Sequence, residues 1–320
     1  MTSDLATLAN DHWIAAYRRL IADVGGDLRE FGTVHAFVCR LPLHFANGCM
    51  VLDPADPADL ATAIEWVHAA GIPYRVRIDL RHVSGLLEVV ARHGLVRDPE
   101  PMPGMVMRPI PVPPAAPPAV TVRIVDQRLY PDYIRIHVET GLPAEWAAEV
   151  FPVYQLDDTD TAMILGFLDG RPAGTSLVIR TGESAGVYAV NTVEWARRRG
   201  VGTAVTWAAV SVARDWGCRA VVLQASAMGF PVYRAMEFES VVEYARFLPK
   251  DRLSLGAAAR SDSGNPVADC DARHERAGQQ RRQGQPAPME GAPLAQDGQN
   301  DDDRKDGQSV AGGREPRLAG

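Results

Sequence analysis

Lysine is nearly missing from this chain. Lys250 and Lys305 are the only two among 33 basic residues, and arginine supplies the rest, a bias that reads as codon usage in a GC-rich genome. There is no excess of positive charge either. The net charge is −7, which disfavours a nucleic-acid surface and mildly favours a cationic small-molecule partner. The four cysteines show no C-x-x-C pair, and Cys39, Cys49 and Cys218 lie in apolar, strand-like surroundings that read as buried thiols. The eight histidines lack H-x-x-x-H spacing, so no metal site is expected. No apolar run approaches a membrane span, and no basic segment leads into an apolar core at the N-terminus. The expectation is a cytoplasmic protein that does not engage a membrane. No aromatic residue follows Phe247, and beyond Ala257 the chain is rich in Gly, Gln, Asp, Arg and Pro. Such a composition cannot bury enough surface to offset its ordering entropy, so 251–320 is expected to be a disordered tail.

The rest is ordinary globular sequence, 46% apolar in a chain of 320 residues, long enough for two domains. Pro109, Pro111, Pro113, Pro114, Pro117 and Pro118 mark a stiff linker over 109–119. It divides a first part, 1–108, from a second, 120–250. In the first part, Leu5, Leu8, Trp13, Tyr17 and Ile21 predict an amphipathic opening helix. Strands are expected at 34–41 and 48–52, and Asp56-Pro57 marks the start of a helix that Gly71 ends. A strand at 74–78, a helix through 86–90 and a closing strand at 102–107 complete it. The second part predicts a strand at 120–125, helices at 130–139 and 143–150, and a hairpin of 162–168 with 173–179 across Asp169-Gly170. A strand at 186–193, a helix ending at Gly217, a buried strand from Ala220, a helix carrying Tyr233 and a strand at 240–247 follow.

Arg197-Arg198-Arg199-Gly200-Val201-Gly202-Thr203 lies between the strand-like run 186–193 and the helix ending at Gly217. A turn that opens a helix aims several backbone N–H groups at one point, and the helix dipole adds positive character there. Gly200 and Gly202, without Cβ atoms, let a bulky anion approach the main chain, which describes a diphosphate cradle. Position 205 is valine where a dinucleotide fingerprint has its third glycine, and the Lys-Ser/Thr pair of a nucleotide P-loop is absent.

Arg-x-x-Gly-x-Gly in this setting, with 186–193 before it, Ala220–Gln224 after it and Tyr233-Arg-Ala-Met-Glu-Phe238 beyond, resembles the GNAT family of acetyl-CoA-dependent N-acetyltransferases over about 121–249. The resemblance implies an α/β (α+β) fold with a mixed, mainly antiparallel sheet flanked by helices. The strand–helix–strand–helix–strand order of 1–108 resembles the back half of the same fold. Its loop at Asp53–Asp59 lacks the motif, which implies a smaller, degenerate GNAT-like lobe unable to hold the cofactor.

Further implications concern the site. Acetyl-CoA would be the co-substrate, its diphosphate held by Arg197, Arg198, Arg199, Gly200, Val201, Gly202 and Thr203. Its pantetheine arm would pair with strand backbone at Val190, Asn191 and Val193 and touch Ser226. A backbone N–H near Asn191 would polarise the thioester carbonyl. Tyr233 matches the tyrosine that protonates the leaving thiolate, and Glu194 is the nearest acidic candidate for the base. Asp157, Asp158 and Asp160 are a second acidic set, for the acceptor pocket or for a solvated loop. Glu237 stands where the family usually has glycine, which questions the turn there. The acceptor would be a small-molecule amine or a protein N-terminus, attacking directly in a ternary complex. Two other readings stay open: a non-catalytic acyl-CoA-binding sensor or assembly module, and a scaffold whose first part makes a homodimer.

Overall fold

The computed structural model describes residues 2–39 and 41–250, so the tail expectation and Cys270 lie outside the described residues. The first part contains α1 (Thr2–Asp23), β1 (Asp27–Phe31), β2 (Val34–Val38), β3 (Gly48–Val51), α2 (Pro57–Ala69), β4 (Arg75–Asp79), α3 (Leu87–Arg92), β5 (Leu95–Arg97) and β6 (Met102–Met107). The second contains β7 (Val120–Ile124), α4 (Tyr130–Glu139), α5 (Ala144–Val150), β8 (Thr161–Leu168), β9 (Arg171–Thr181), β10 (Ser184–Thr192), α6 (Val201–Asp215), β11 (Ala220–Gln224), α7 (Phe230–Ala235) and β12 (Glu239–Pro249). The mixed, mainly antiparallel sheet flanked by helices is present as expected. Two short strands were not foreseen. β1 is a charged, mostly exposed edge, and β5 has only three residues.

Each part repeats one topology. β1, β2 and β3 are antiparallel neighbours, and α2 crosses over to make β4 parallel to β3. Likewise β8, β9 and β10 are antiparallel, and α6 crosses over to make β11 parallel to β10. The β8–β9 hairpin turns on Asp169 and Gly170, both left-handed (φ 51° and 78°), as its two-residue loop requires.

The two repeats are not separate bodies. β6 does not close the first part. It lies between β11 and β12 and is antiparallel to both. β12, in turn, extends from β6 to pair with β4 and β5 of the first part. One 12-stranded sheet results, in the order β1-β2-β3-β4-β12-β6-β11-β10-β9-β8-β7, with β5 beside β12. The 109–119 stretch therefore separates the parts along the chain but not within the sheet. Local pattern predicts β6 to the residue, but no local signal says which strands it joins.

Helix α1 lies across the middle of this sheet and touches strands of both parts. Trp13 packs on Tyr244 of β12, with ring centroids 4.6 Å apart. Buried Asn10 donates to Leu52 O (2.9 Å) and Asp79 (3.2 Å) and accepts from the Tyr244 hydroxyl (2.7 Å). On the opposite face, α6 descends onto β8 and β9 because Gly166 and Gly174 leave room. A Cβ on either would come within 2.7 Å of a methyl of Val205 or Val201. Cys39, Cys49 and Cys218 are buried free thiols, as expected. No described helix is long and apolar enough to cross a membrane.

Gly104 lies at the centre of the exchange, opposite Gln224 of β11 and Val242 of β12. A Cβ there would be 2.6 Å from Val242 Cγ1 and 2.8 Å from the Tyr244 ring. Gly104→Val is predicted to destabilise the fold by about 2–3 kcal/mol. Urea unfolding followed by tryptophan fluorescence and by circular dichroism should show one shared midpoint that moves down.

Candidate active site

Parallel strands β10 and β11 pair over Ser184–Gly186 and Ala220–Val222 only. Both strands continue, β10 to Thr192 and β11 to Gln224, so they diverge and leave a cleft. A bulge accompanies the divergence. The β9–β10 register shifts between Tyr188 and Asn191, and Ala189 takes a left-handed φ of 50°. A bulge bends its strand and increases local twist, which carries β10 away from β11.

At the end of β10 the chain passes through a short 3-10 turn, Glu194–Ala196, and enters α6. Gly200 caps α6 with φ 85° and supplies no side-chain cap. Arg198, at φ 62°, is also left-handed. No described group accepts from the amides of Arg198, Arg199, Gly200, Val201, Gly202 or Thr203. The first bond of the helix is Ala204 N to Gly200 O. Six consecutive donors at a helix N-terminus suit an anion. The space a Cβ would take on Gly200 faces Pro117 (3.0 Å), and that on Gly202 faces Thr192 Oγ1 (3.3 Å). The two glycines allow the left-handed cap and the close approach of α6 to β10.

Among the arginine side chains, Arg199 pairs with exposed Asp169 (2.9 Å) and Arg197 donates to Thr192 O (3.4 Å). Val190 falls within the register shift, and its side chain packs toward α6. Val193 departs from the expected backbone role, because its N–H already donates to Ala173 O (3.0 Å).

The first part shows the contrast. Its equivalent strands, β3 and β4, pair along all of β3. Its equivalent helix, α2, is capped by Asp56, whose carboxylate accepts from Ala58 N (2.8 Å). These strands stay paired, and a carboxylate already occupies the start of the equivalent helix.

On the α1 side of the bulge lies a cavity of about 330 Å³. Tyr188, Ala189 and Asn191 of β10 form one wall, His137, Leu142 and Phe151 another, and Tyr17, Leu20, Ile21, Leu41 and Phe45 of the first part a third. Asn191 Nδ2 bonds both Ala189 O (3.3 Å) and His137 Nδ1 (3.1 Å). A carbonyl only accepts, so this nitrogen is the donor in both bonds. His137 Nδ1 is therefore the acceptor, and the imidazole proton sits on Nε2, which is buried without a partner. Burial lowers the His137 pKa to about 3 and keeps the ring neutral. The ring stacks on Phe151 with centroids 4.1 Å apart. Tyr188 is half-buried, and its hydroxyl oxygen is buried without a partner.

Tyr233 is buried beside Phe238, with centroids 6.0 Å apart, and burial pushes its hydroxyl up to about 12. It stays protonated at neutral pH, as a proton donor must. Glu237 takes φ 68° and its N–H reaches Arg234 O (3.1 Å), so the turn that glycine usually makes is formed with glutamate. Ser226 Oγ accepts from Gly229 N (3.1 Å), opening α7. Glu194 is exposed and does not line the cavity. Asp158 pairs with Arg19 and Asp160 with Arg180, and neither they nor Asp157 line it. The arrangement thus joins Asn191 to the cavity and leaves the carboxylates outside. His137 and Tyr188 read in sequence only as members of an apolar helix face and a strand. The walls from the first part carry no local signal.

Residues 127–238 match the sequence profile described as the acetyltransferase (GNAT) family. Among solved structures, the chain is similar to a GCN5-related N-acetyltransferase from Kribbella flavida (19% identity, TM-score 0.61, covering 77% of this chain and 95% of that one). It is also similar to a functionally unknown conserved protein from Staphylococcus epidermidis ATCC 12228 (16% identity, TM-score 0.53, covering 71% and 95%). At these identities the likeness is one of fold, and it extends across both parts of the chain. No curated protein matches in sequence.

Two neutral buried histidines give a pH signature. Burial lowers His137 to about 3 and His12, on α1 and bonded to Ser184 and Thr181, to about 4. The unfolded chain protonates both below about 6.5 while the folded chain does not. The folded state therefore loses stability as pH falls from about 6.5 toward 4, with a slope approaching about 1.4 kcal/mol per pH unit for each histidine. His12→Gln and His137→Gln should each flatten that slope in urea titrations run across pH 4–7.

Proposed function

We propose that the GNAT-family acetyltransferase domain at residues 127–238 moves an acetyl group from acetyl-CoA to a primary amine by direct attack in a ternary complex. The observation that carries the reading is the pairing of two features. β10 and β11 separate after Gly186, and six unpartnered amides of Arg198–Thr203 face the same end of the sheet. These residues fit acetyl-CoA: the amides suit a diphosphate, and the exposed edge of β10 suits an extended pantetheine amide chain. Acetyl-CoA supplies the activated acetyl thioester. The protein's part is to hold, orient and manage protons. The amides of Arg198–Thr203 grip the anion, with Arg197, Arg198 and Arg199 adding positive charge around it. Val190, in the bulge, and Asn191, which rejoins the β9 ladder opposite Thr175, offer backbone to the acyl end. Tyr233 holds a proton on its hydroxyl for the departing sulfur, and Ser226 lies at the start of α7. The acceptor reaches the bulge through the cavity, on the opposite face of the sheet from α6.

A second reading has support as well. Glu194 is exposed and no carboxylate among the described residues lines the cavity, so these residues assemble no acidic base there. A module that binds acyl-CoA without turnover is consistent with that.

Calorimetry with acetyl-CoA, followed by a thiol-release assay with amines, separates the two. Turnover requires amine-dependent thiol release, and binding without release assigns the module. Thr203→Glu places a carboxylate in the first turn of α6, which the helix dipole tolerates and a diphosphate does not. It is predicted to leave the melting temperature within a few degrees and to weaken acetyl-CoA binding at least ~30-fold. Tyr233→Phe should lower kcat at least ~10-fold with acetyl-CoA affinity unchanged.

A further inference from the structure

The cavity beside the bulge has a uniform chemistry. Among the described residues, its lining holds no aspartate, glutamate, lysine or arginine. Most of its polar groups are already engaged by the protein: Tyr17 OH donates to Phe45 O (3.1 Å), Thr140 Oγ1 to Ile136 O (2.9 Å), and Asn191 Nδ2 to His137 and Ala189. Behind the wall lies a cation, Arg77, buried and donating to Phe45 O (2.7 Å) and Tyr17 OH (3.2 Å). A second positive charge on a ligand would find no counter-charge here and would meet this guanidinium's field.

The wall from the first part is pre-formed. Buried Asn47 donates to Leu41 O (2.9 Å), Leu43 O (3.0 Å) and Pro73 O (3.2 Å) and accepts from Cys39 N (2.7 Å). The loop carrying Leu41, Phe45 and Ala46 is thereby fixed. A rigid, apolar cavity selects by shape and by exclusion of charge. At about 330 Å³ it lies near the small end of the roughly 300–1,000 Å³ typical of small-molecule sites.

We propose that the acceptor is a small apolar monoamine, one amino group on an aromatic or branched aliphatic body, and that Leu20, Phe45 and Ala46 of the first part set this specificity. This rests on the acetyltransferase reading of the same site. In surroundings that stabilise no cation the amine enters in its neutral form and leaves its proton to bulk water, so the attacking form is present without a carboxylate base. The chain's overall negative charge, which favoured a cationic acceptor, does not extend into this cavity.

The test uses the full chain with saturating acetyl-CoA and thiol release as the readout, comparing 2-phenylethylamine and 3-methylbutylamine with 1,4-diaminobutane, spermidine, an aminosugar and a short peptide. The apolar monoamines are expected to exceed the others at least ~30-fold in kcat/KM. Ala46→Trp, which fills the cavity, should raise KM for 2-phenylethylamine at least ~10-fold while calorimetric affinity for acetyl-CoA is unchanged. Leu20→Glu, which adds a counter-charge, should shift preference toward the diamine, and it decides the matter if the tryptophan variant misfolds. Acetyl-CoA binding with equal or better turnover of spermidine, the aminosugar or the peptide overturns the apolar acceptor and leaves the acetyltransferase reading intact. Absence of acetyl-CoA binding overturns that reading, and this inference with it.

Discussion

What this protein can do follows from the place where two parallel strands stop pairing. β10 and β11 share a short ladder and part after Gly186, while β10 stays on β9 through a bulge at Ala189 and Val190. Backbone donors and acceptors on the β11 side of β10 are then left for something extended to meet. The same chain end delivers α6 with its first turn uncapped. A side-chain cap would stabilise such a helix by about 1 kcal/mol, and its absence leaves the donors for an outside anion. The repeat in the first part supplies the internal control. With the same order of strands and crossover helix, it keeps β3 paired along its whole length and caps α2 with Asp56. One half is closed and self-satisfied, and the other is open.

The closed half is still part of the working structure. Exchange of β6 and β12 makes it a neighbour in the same sheet, and α1 bridges the two through Asn10, Trp13 and Tyr244. That bridge places Tyr17, Leu20 and Ile21 against the bulge of β10, and Asn47 and Arg77 hold the adjoining loop. A half without a ligand cleft thus becomes one wall of the other half's cavity. In the proposed reading, the cofactor side is defined by backbone donors, and the acceptor side by apolar side chains from both halves.

Local physics was legible in the sequence. The hairpin turn at Asp169-Gly170, the proline-marked start of α2, the boundaries of β6 and the uncapped start of α6 all express constraints between near neighbours. What stayed hidden depends on distant partners. Nothing near Met102–Met107 says that it pairs with β11 and β12. The bulge at Ala189 needs a left-handed alanine, which no residue preference announces. Gly200 and Gly202 stood out as approaches for a ligand, and only the fold shows that Pro117 and Thr192 also crowd them. His137 read as one more apolar-face residue of α4, and only the fold shows Asn191 fixing its tautomer. Glu237 looked like a break in the turn before β12, whereas the chain forms that turn with a left-handed glutamate.

The central claim is that the amides of Arg198–Thr203 receive the diphosphate of acetyl-CoA. Hydrogen exchange with mass spectrometry, on the full chain with and without saturating acetyl-CoA, addresses it directly. The account predicts slowed exchange over 198–203 and along the far end of β10, with no change at the capped start of α2 near Asp56. Unchanged exchange over 198–203 at saturation, or protection at α2 instead, would contradict it.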